Sequence, residues 1–413
     1  MLDNTGTRQL AYVVTVDAIE PIPGKDRVEC ARVGGWTCMI PKGAMKAGDP
    51  AIYIEIDSQV PLDNEVFKFC ERYHGKIKTQ KFRNPDGSQF WSQGLLMAAS
   101  DFGWTIDSAQ FAGGFSFVVD DKGVQHIPGD ESMFLTKQLG ITYYEAEDNK
   151  RKAASDPYAP VKAALNRHQK IAKKYGRFIK KHRFAQIIFM LFFGKKKDKK
   201  KNWPDWVKKT DEERVQNMPW ILENKDPWIA TEKIDGTSTT FTIKRGKRGK
   251  YDVYVCSRNV VFDTPDKACY YDKNVYFEMF EKYNIKDVLI QLLDENPKAE
   301  WITIQGETYG ATVQKRDYSL KDRDFMAFNL IFSNKGRVGT IEMTNILTAK
   351  GVPCVPIIDI NFILPDTVEE LLNIATGNSA VDGKPREGIV FRSFDGGQSF
   401  KAVSNEFLAK YHG

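Results

Sequence analysis

The stretch Thr231-Glu232-Lys233-Ile234-Asp235-Gly236-Thr237-Ser238 places one lysine beside two acids and a glycine, in a run that otherwise has the pattern of a β-strand. A lysine attacks a phosphorus atom only when its amine has lost its proton. Cationic or desolvated surroundings favour that loss because they lower the pKa of an ammonium group. The alternative is a surface turn, since four-residue patterns of this kind occur in many proteins. The residues that follow decide between the two.

Five further segments follow that lysine, and each joins polar residues to a strand-like run. In chain order they are Cys256-Ser257-Arg258-Asn259, Ile304-Gln305-Gly306-Glu307-Thr308-Tyr309-Gly310, Asp324-Phe325-Met326-Ala327-Phe328-Asn329-Leu330-Ile331-Phe332, Glu387-Gly388-Ile389-Val390-Phe391-Arg392 and Ser399-Phe400-Lys401-Ala402-Val403. Each alone is also typical of a solvated turn, a capped strand end or a buried strand. In this order after Lys-x-Asp-Gly, they resemble the motifs of the covalent nucleotidyltransferases, which include DNA ligases, RNA ligases and mRNA-capping enzymes.

This resemblance implies roles for the residues that would handle phosphate. Lys233 would be the nucleophile that forms a lysyl-N–adenylate and releases pyrophosphate. Charge on phosphoryl oxygens is neutralised mainly by cationic side chains and a divalent metal. Arg258 would meet a 5′-phosphate or the ribose, Lys401 the α-phosphate, and Glu387 a Mg²⁺ or Mn²⁺ ion. Arg214, ahead of the nucleophile in the chain, is the candidate for a pyrophosphate contact.

The same resemblance implies a nucleoside site. Glu307 would hold ribose hydroxyls, because an ionised carboxylate only accepts hydrogen bonds. Phe328 is the favoured ring to stack on the adenine, with Phe325 as the nearest substitute. Three residues of the nucleophile motif are expected in the nucleotide site as well: Glu232, Asp235 and Gly236.

The front of the chain narrows the choice within the superfamily. Strand-like runs at residues 12–16, 27–33, 36–40 and 51–56 alternate with glycine and proline turns, which predicts a small OB-type β-barrel. Residues 76–83 followed by Ser92-Gln93-Gly94-Leu95, and residues 209–217, resemble the RNA ligases that carry an OB domain in front of the catalytic domain. The chain ends twelve residues after Lys401, so we expect no OB domain behind it, unlike DNA ligases and capping enzymes.

Composition agrees with an intracellular enzyme, cytoplasmic or nuclear. A chain of 413 residues with 42% hydrophobic residues holds two or three cores. The six cysteines have no Cys-x-x-Cys spacing, so free thiols are favoured over a disulfide framework. The five histidines do not cluster, and the first residues show no secretory signal.

Positive charge is concentrated in one segment. Residues 162–201 contain fifteen Lys or Arg and a single acid, Asp198. The run at 195–201 fits a solvated linker, an import-like signal or a contact to phosphates. The apolar residues 184–193 are too short to span a bilayer, which takes about 20 residues. Packing is therefore favoured over a membrane-surface helix, and no stable membrane association is expected.

The sequence thus predicts an α+β protein: an OB-type β-barrel domain at 1–135, a basic helical linker at 136–205, and a nucleotidyltransferase (ATP-grasp-like ligase) domain of antiparallel sheets and helices at 206–413. The implied function is ATP-dependent RNA ligation, which joins 3′-hydroxyl and 5′-phosphate ends of broken or nicked RNA during repair. The alternatives are an mRNA-capping-type guanylyltransferase and a catalytically silent nucleic-acid-binding protein.

Overall fold

The computed structural model describes residues 1–107, 117–120, 122–127, 130–144, 203–209, 211–267, 269, 271 and 273–411. Strands dominate the first part, and strands with helices make up the second, so the predicted α+β class is confirmed. The basic run at 195–201 and the apolar run at 184–193 lie outside the described residues. The predicted linker lies outside them too, except for residues 136–144 and 203–205.

The N-terminal part consists of short strands between turns. They are β1 (Ala11–Thr15), β2 (Ala18–Pro21), β3 (Val28–Val33), β4 (Trp36–Pro41), β5 (Pro50–Ile54), β6 (Ser58–Gln59), β7 (Lys76–Ile77), β8 (Gln80–Arg83), β9 (Gln89–Ser92), β10 (Leu95–Ala98), β11 (Thr105–Asp107), β12 (Phe117–Val119), β13 (Gln125–His126) and β14 (Thr142–Tyr143). They form small sheets in the orders β1-β5-β10, β2-β3-β4, β14-β6-β7, β11-β12-β13 and β8-β9. The four runs expected to be strands correspond to β1, β3, β4 and β5.

Aromatic side chains fill the core of this part. The ring centroids of Tyr12 and Tyr53 lie 5.6 Å apart, and those of Trp36 and Tyr53 lie 5.3 Å apart. All three side chains are buried, and each comes from a different strand. Ring pairs of this kind add about 0.5–1.5 kcal/mol each beyond the area they bury, so they hold the small sheets together.

Two larger sheets form the second part. The strands are β15 (Glu213–Arg214), β16 (Trp228–Lys233), β17 (Thr237–Arg245), β18 (Tyr251–Cys256), β19 (Val261–Phe262), β20 (Trp301–Gly310), β21 (Arg323–Phe332), β22 (Gly336–Arg337), β23 (Ile357–Phe362), β24 (Gly388–Arg392) and β25 (Ser399–Val403). One sheet has the order β15-β25-β24-β16-β23 and the other β19-β18-β17-β20-β21-β22. Most pairs are antiparallel, but β15 runs parallel to β25. The chain passes from the first sheet to the second between β16 and β17, at residues 234–236.

Among the described residues, five α-helices belong to this second part. They are α1 (Val275–Lys282), α2 (Ile285–Glu295), α3 (Thr340–Ala349), α4 (Val368–Ala375) and α5 (Asn405–Tyr411). Residues of α1, α2 and α3 share one apolar core with the six-stranded sheet, and residues of α4 share another with the five-stranded sheet. No helix in the described ranges has the length and apolar character needed to cross a membrane. All six cysteines lie in described residues, and none forms a disulfide, as expected.

One amide joins the N-terminal part to the sheets, and we call its surroundings the interdomain joint. Asn217 Oδ1 accepts hydrogen bonds from Tyr12 Oη at 3.0 Å and Trp36 Nε1 at 2.7 Å. Its Nδ2 donates to Oε1 of buried Glu55 at 2.9 Å and to Oε1 of Glu213 at 2.7 Å. Both atoms of this buried amide are therefore fully used, and separation of the two parts would leave polar atoms unpaired.

Backbone contacts bring the two parts still closer at the same place. The Gly35 N–H donates to the Gln216 carbonyl at 2.8 Å. A Cβ at Gly35 would lie 2.6 Å from Gln216 Cα, a distance that real side chains do not reach. The joint thus fixes the N-terminal part directly beside Arg214, two residues from Gln216.

Candidate active site

Lys233 lies at the end of β16, where the chain leaves one sheet for the other. It pairs with Gly388, so the residue before β24, Glu387, faces it. The Lys233 Nζ lies 2.8 Å from each carboxylate oxygen of Glu387. The lysine side chain is 25% exposed, so it is only partly buried. The predicted nucleophile and the predicted metal ligand are therefore in direct contact.

Carboxylates control the charge of this lysine. Burial alone would lower the pKa of Lys233, but Glu387, Glu307 and Asp235 together hold it well above its usual range. The nucleophile hypothesis required cationic or desolvated surroundings, and the structure instead shows carboxylates whose effect on this pKa outweighs that of burial. Lys233 is therefore an ammonium ion here, and it becomes a nucleophile only after the neighbouring negative charge is neutralised.

Burial is the main reason why Glu307 holds a proton more tightly than usual. Together with Glu387 and Asp235, it raises the pKa of Glu307 to about 8, although Lys233 opposes the shift. No three His, Cys, Asp or Glu side chains of the described residues converge as a metal-binding group. Glu387 and Glu307 both act on Lys233, and one or two carboxylates with water and phosphate oxygens are enough to hold Mg²⁺ or Mn²⁺.

Gly236 makes the close approach of the two sheets possible. A Cβ at this position would lie 2.3 Å from the Thr308 carbonyl oxygen and 2.9 Å from Glu307 Cγ. The neighbouring Asp235 is buried, and its backbone N–H donates to Tyr318 Oη at 2.7 Å. Only glycine therefore allows the Lys233 turn to lie directly against Glu307.

A cluster of cationic groups lies on the neighbouring strands. Arg214 on β15 pairs in register with Lys401 on β25, and Lys401 with Val390 on β24. Because Val390 pairs with Thr231, and alternate residues of a strand share a face, Lys401 and Lys233 lie on the same face of this sheet. The predicted phosphate-binding residues thus share a face with the nucleophile.

Asp211 contacts three cationic side chains, those of Lys401, Arg258 and Arg8, and we call these four residues the Asp211 cluster. The Oδ1 of Asp211 accepts a hydrogen bond from Lys401 Nζ at 2.7 Å. Its Oδ2 accepts from Arg258 at 2.8 Å and from Arg8 at 3.2 Å. Arg8 comes from the N-terminal part, so this carboxylate ties both parts of the molecule to the site.

The pKa values in this cluster follow from its excess positive charge. Burial would raise the pKa of Asp211, but Lys401, Arg8 and Arg258 hold it well below its usual range. Burial, assisted by Arg8, Arg214 and Lys233, lowers the pKa of Lys401 to about 8, although Asp211 opposes the shift. Asp211 is thus what keeps Lys401 mostly protonated near neutral pH.

Arg214 has hydrogen-bond donors that no residue described in the structure accepts. Its Nη2 donates to Asp57 Oδ2 at 3.2 Å, which brings in a second residue of the N-terminal part. Its Nε and Nη1 are buried and have no hydrogen-bond partner among the described residues. Unpaired buried guanidinium donors are costly, and an anion such as a phosphate would satisfy them.

The two candidate rings for adenine differ sharply in surroundings. Phe325 is completely buried in the core behind the six-stranded sheet, with its ring centroid 5.2 Å from that of Phe241. Phe328 is only partly buried, and the Arg392 guanidinium lies 5.9 Å from its ring centroid. Of these two rings, Phe328 is the accessible one.

Glu232 does not face the nucleophile. It pairs with Ile389 of the apolar core, so its side chain lies on the opposite face of the sheet from Lys233. Its Oε2 accepts a hydrogen bond from the Ala380 N–H at 2.8 Å, whereas its Oε1 is buried with no partner among the described residues. Its assignment to the nucleotide site stays a prediction.

Comparisons with known families agree with this geometry. A family model described as RNA ligase matches residues 226–411, and an OB-fold domain model matches residues 10–98. No curated protein matches the chain. These matches cover the Lys233 motif and the strands β1 to β10.

Solved structures match nearly the whole chain. A Naegleria gruberi RNA ligase with PPi is 26% identical, with a TM-score of 0.68, and the match covers 98% of this chain and 99% of that one. A lysine-to-alanine mutant of a Naegleria gruberi RNA ligase, with ATP and Mn, is 27% identical over 99% of each chain, with a TM-score of 0.67. A lysine-to-methionine mutant with AMP and Mn gives 27% identity over 98% of this chain and 99% of that one, with a TM-score of 0.67. Residues 226–411 thus belong to the RNA ligase family, and an OB-fold domain precedes them in the chain.

Proposed function

We propose that this protein is an ATP-dependent RNA ligase that joins RNA 3′-hydroxyl and 5′-phosphate ends through a lysyl-AMP intermediate. The observation that carries the proposal is the position of Lys233. Its amine contacts the Glu387 carboxylate, and it lies on the same sheet face as Lys401 and Arg214. A nucleophilic amine, a carboxylate for a metal and cations for phosphate are what adenylyl transfer requires.

The first step would be attack of the Lys233 amine on the α-phosphorus of ATP. The N–P bond forms while the bond from that phosphorus to the bridging oxygen breaks, and pyrophosphate leaves. Lys401 would contact the α-phosphate, and the two unpaired donors of Arg214 would contact the departing pyrophosphate. Fixed cations on both sides of the reacting phosphorus stabilise charge without reorganisation.

A divalent cation fits beside the nucleophile. Glu387, with Glu307 nearby, would hold Mg²⁺ or Mn²⁺, and the Naegleria gruberi structures with Mn and a nucleotide support that choice. When bound, the cation supplies positive charge that offsets the three carboxylates and favours the neutral amine of Lys233. Before that neutralisation, the acids keep Lys233 protonated and unreactive.

The adenosine would lie beside the accessible ring. Phe328 would stack on the base, Glu307 would accept hydrogen bonds from the ribose hydroxyls, and Gly236 with Asp235 would shape the wall. Arg258, whose side chain is 42% exposed, would leave Asp211 to contact a 5′-phosphate or the ribose. Stacking is tolerant of sequence, so this set alone does not exclude GTP.

Two further transfers would follow on RNA. The lysyl-bound AMP would pass to an RNA 5′-phosphate, and a ribose 3′-hydroxyl would then displace AMP and seal the strand. The family match and the whole-chain likeness favour this activity over a capping guanylyltransferase. The intact Lys233, Glu307, Glu387 and Lys401 disfavour a silent binding protein, because a silent protein has no use for them.

Labelling by nucleotide tests the proposal directly. Pure protein is incubated with labelled ATP or GTP and a divalent metal, and acid-stable label on the protein is measured. We expect ATP to label the wild-type protein. The Lys233→Met variant should take no label, because methionine keeps the side-chain length and removes the nitrogen. Label on the mutant equal to that on the wild type would refute the assigned nucleophile, and label from GTP alone would favour the capping alternative.

A nick with alternative sugars tests the RNA assignment. We expect faster sealing when the 3′-hydroxyl end is a ribonucleotide than when it is a deoxyribonucleotide, since the 2′-hydroxyl distinguishes the two sugars. Sites that hydrogen-bond such a group discriminate by up to about 10⁴-fold. Equal rates at subsaturating substrate would indicate a general polynucleotide ligase.

A further inference from the structure

Two loops flank the turn that follows the nucleophile. One covers residues 311–322, and we call it the β20–β21 loop after the strands that it joins. The other covers residues 376–387 and ends at Glu387, and we call it the pre-β24 loop. Each makes side-chain contacts with residues 232–236, so both help to determine where Lys233 lies.

The β20–β21 loop binds the backbone of the turn. Tyr318 Oη accepts a hydrogen bond from the Asp235 N–H at 2.7 Å, and Gln314 Nε2 donates to the Gly236 carbonyl at 3.0 Å. The Tyr318 side chain is buried, so water cannot readily replace its hydroxyl. This hydroxyl is therefore a fixed contact two residues from the nucleophile.

The pre-β24 loop contacts the end of β16 on both faces of the sheet. The Ala380 N–H donates to Glu232 Oε2 at 2.8 Å, and Glu387 contacts the Lys233 amine. Consecutive residues of a strand face opposite sides, so these two contacts approach β16 from opposite directions. The position of this loop thus bears directly on the nucleophile.

A buried ion pair joins the two loops. Arg316 Nη2 donates to Asp382 Oδ1 at 2.6 Å, and the two side chains are only 2% and 4% exposed. The Arg316 guanidinium also lies 3.9 Å from the ring centroid of Tyr318. Such a pair resists separation, because each charge would be left unpaired in a medium of low polarity. Arg316 therefore fixes Tyr318 relative to the loop that ends at Glu387.

The β20–β21 loop keeps a backbone conformation that its own residues disfavour. Thr312, Tyr318 and Ser319 have φ angles of 64°, 52° and 57°, in the left-handed region that residues with a Cβ rarely adopt. Such conformations persist where surrounding contacts impose them, and they are frequent at functional sites. The place of the Tyr318 hydroxyl is thus set by tertiary contacts and not by local preference.

We propose that Tyr318 and Arg316 are positioning residues for adenylyl transfer: Tyr318 fixes the turn at Asp235 and thereby the direction of the Lys233 amine, and Arg316 fixes Tyr318. This inference rests on the proposed ligase function and adds to it the residues that align the nucleophile. Attack in line with the departing pyrophosphate depends on such alignment, since a displacement of about 1 Å can cost about 100-fold in rate.

Single-turnover labelling at a series of ATP concentrations tests Tyr318. Tyr318→Phe keeps the buried ring and removes the hydroxyl that accepts from the Asp235 N–H. The maximal rate constant of labelling should fall about 10-fold or more through misalignment. The half-saturating ATP concentration should change little, because the contacts to base and phosphates remain.

Tyr309→Phe is the matched control. Tyr309 is buried in the same core cluster, and its ring centroid lies 5.1 Å from that of Tyr318. This variant removes a hydroxyl from the same surroundings and should label at the wild-type rate. A loss in the control equal to that in Tyr318→Phe would overturn the proposal, because any lost hydroxyl in this core would then have the same effect.

Sealing of a pre-adenylylated RNA strand in the absence of ATP separates alignment from general damage. In that step the 3′-hydroxyl oxygen attacks the 5′-phosphorus of the strand, the bond to AMP breaks and AMP leaves, so Lys233 is not the nucleophile. We expect Tyr318→Phe to seal this strand at the wild-type rate. An equal fall in labelling and in sealing would show damage to the whole site and overturn the proposal.

A double-mutant cycle tests Arg316. Arg316→Gln with Asp382→Asn removes both charges together, so no buried charge is left unpaired. This variant should show the same selective loss of labelling as Tyr318→Phe. Addition of Tyr318→Phe to it should cause little further loss, because both changes act through one hydroxyl. Losses that multiply would show that Arg316 acts by another route and would overturn its assigned role.

The outcomes separate this inference from the proposed function. A wild-type chain that takes label from ATP, while Tyr318→Phe takes it at the same rate, overturns the inference and leaves the ligase standing. A wild-type chain that takes no label from any nucleotide overturns the function on which the inference rests.

Discussion

Replacement of Asp211 by asparagine removes one negative charge from the centre of the Asp211 cluster while nearly preserving its shape. Lys401 then loses its 2.7 Å partner and keeps the neighbouring positive charges of Arg8, Arg214 and Lys233. All these groups lower its pKa, so the lysine should become neutral at a lower pH than in the wild type. A neutral Lys401 cannot offset charge on the α-phosphate.

The size of the effect follows from the charge that is removed. Breaking a buried ion pair costs about 3–5 kcal/mol. A fall of about two units in the pKa of Lys401 corresponds to about 2.7 kcal/mol, which is slightly below that cost. Lys401, with a pKa of about 8, is about three-quarters protonated at about pH 7.5. With a pKa of about 6 only about 3% would be protonated, so adenylation should fall about 25-fold at this pH.

The assay is the rate of label transfer from ATP to Asp211→Asn and to the wild type across a range of pH. Because the required form of Lys401 is the cation, the deficit should be greatest above about pH 7.5 and should shrink as the pH falls through the lowered pKa. A control combines Asp211→Asn with Lys401→Arg, whose guanidinium stays charged throughout. Its deficit relative to Lys401→Arg alone should not vary with pH. A loss of the same factor at every pH in Asp211→Asn would show that Asp211 acts only on structure, and the reasoning would fail.

Four other substitutions give expected outcomes that are simple to measure. Gly236→Ala should lower the adenylation rate about 100-fold, because its Cβ would displace the turn from Thr308; normal rates with an unshifted Tm would contradict the packing. Phe328→Leu should raise the KM for ATP about 5-fold or more, because the ring that stacks on the base is lost. Phe325→Leu should lower the free energy of unfolding by about 1–3 kcal/mol and leave the KM for ATP unchanged, because Phe325 lies in the core. The reverse pattern would exchange their roles. Asn217→Leu should lower the free energy of unfolding by about 3 kcal/mol or more in denaturant titrations, since Glu55 loses a buried donor; an unchanged midpoint would mean that the joint contributes little.

The strands could be predicted because they follow local rules. Alternating apolar residues between glycine or proline turns predicted β1, β3, β4 and β5, and each predicted strand end lies within two residues of the observed end. The run at 399–403 corresponds to β25. The motif order also singled out Lys233 and Glu387, and the structure shows that the two side chains are in direct contact. These features depend on short stretches of chain, and each stretch carries its own pattern.

Other features depend on distant residues and left no readable signal. Asp211 is one of three consecutive acids, and nothing local distinguishes it from Glu212 or Glu213. Its role arises from the pairing of β15 with β25, which are far apart in sequence. The high pKa of Lys233 was missed for a related reason, since Glu307 and Glu387 reach it from two different sheets. Phe328 is more accessible than Phe325, a difference in burial that the sequence does not reveal, and its stacking on adenine stays a prediction.

The parallel pair β15–β25 has a consequence for the order in which the protein matures. β25 lies between β15 and β24, and it is the last strand to be synthesised in the described chain. Until it is inserted, β15 has no neighbour in the sheet, and Arg214 and Asp211 have no Lys401 beside them. Contacts between such distant segments form slowly, because a long loop must close first. A nascent chain that already contains Lys233 therefore lacks Lys401, and we expect no reaction with ATP before β25 is in place.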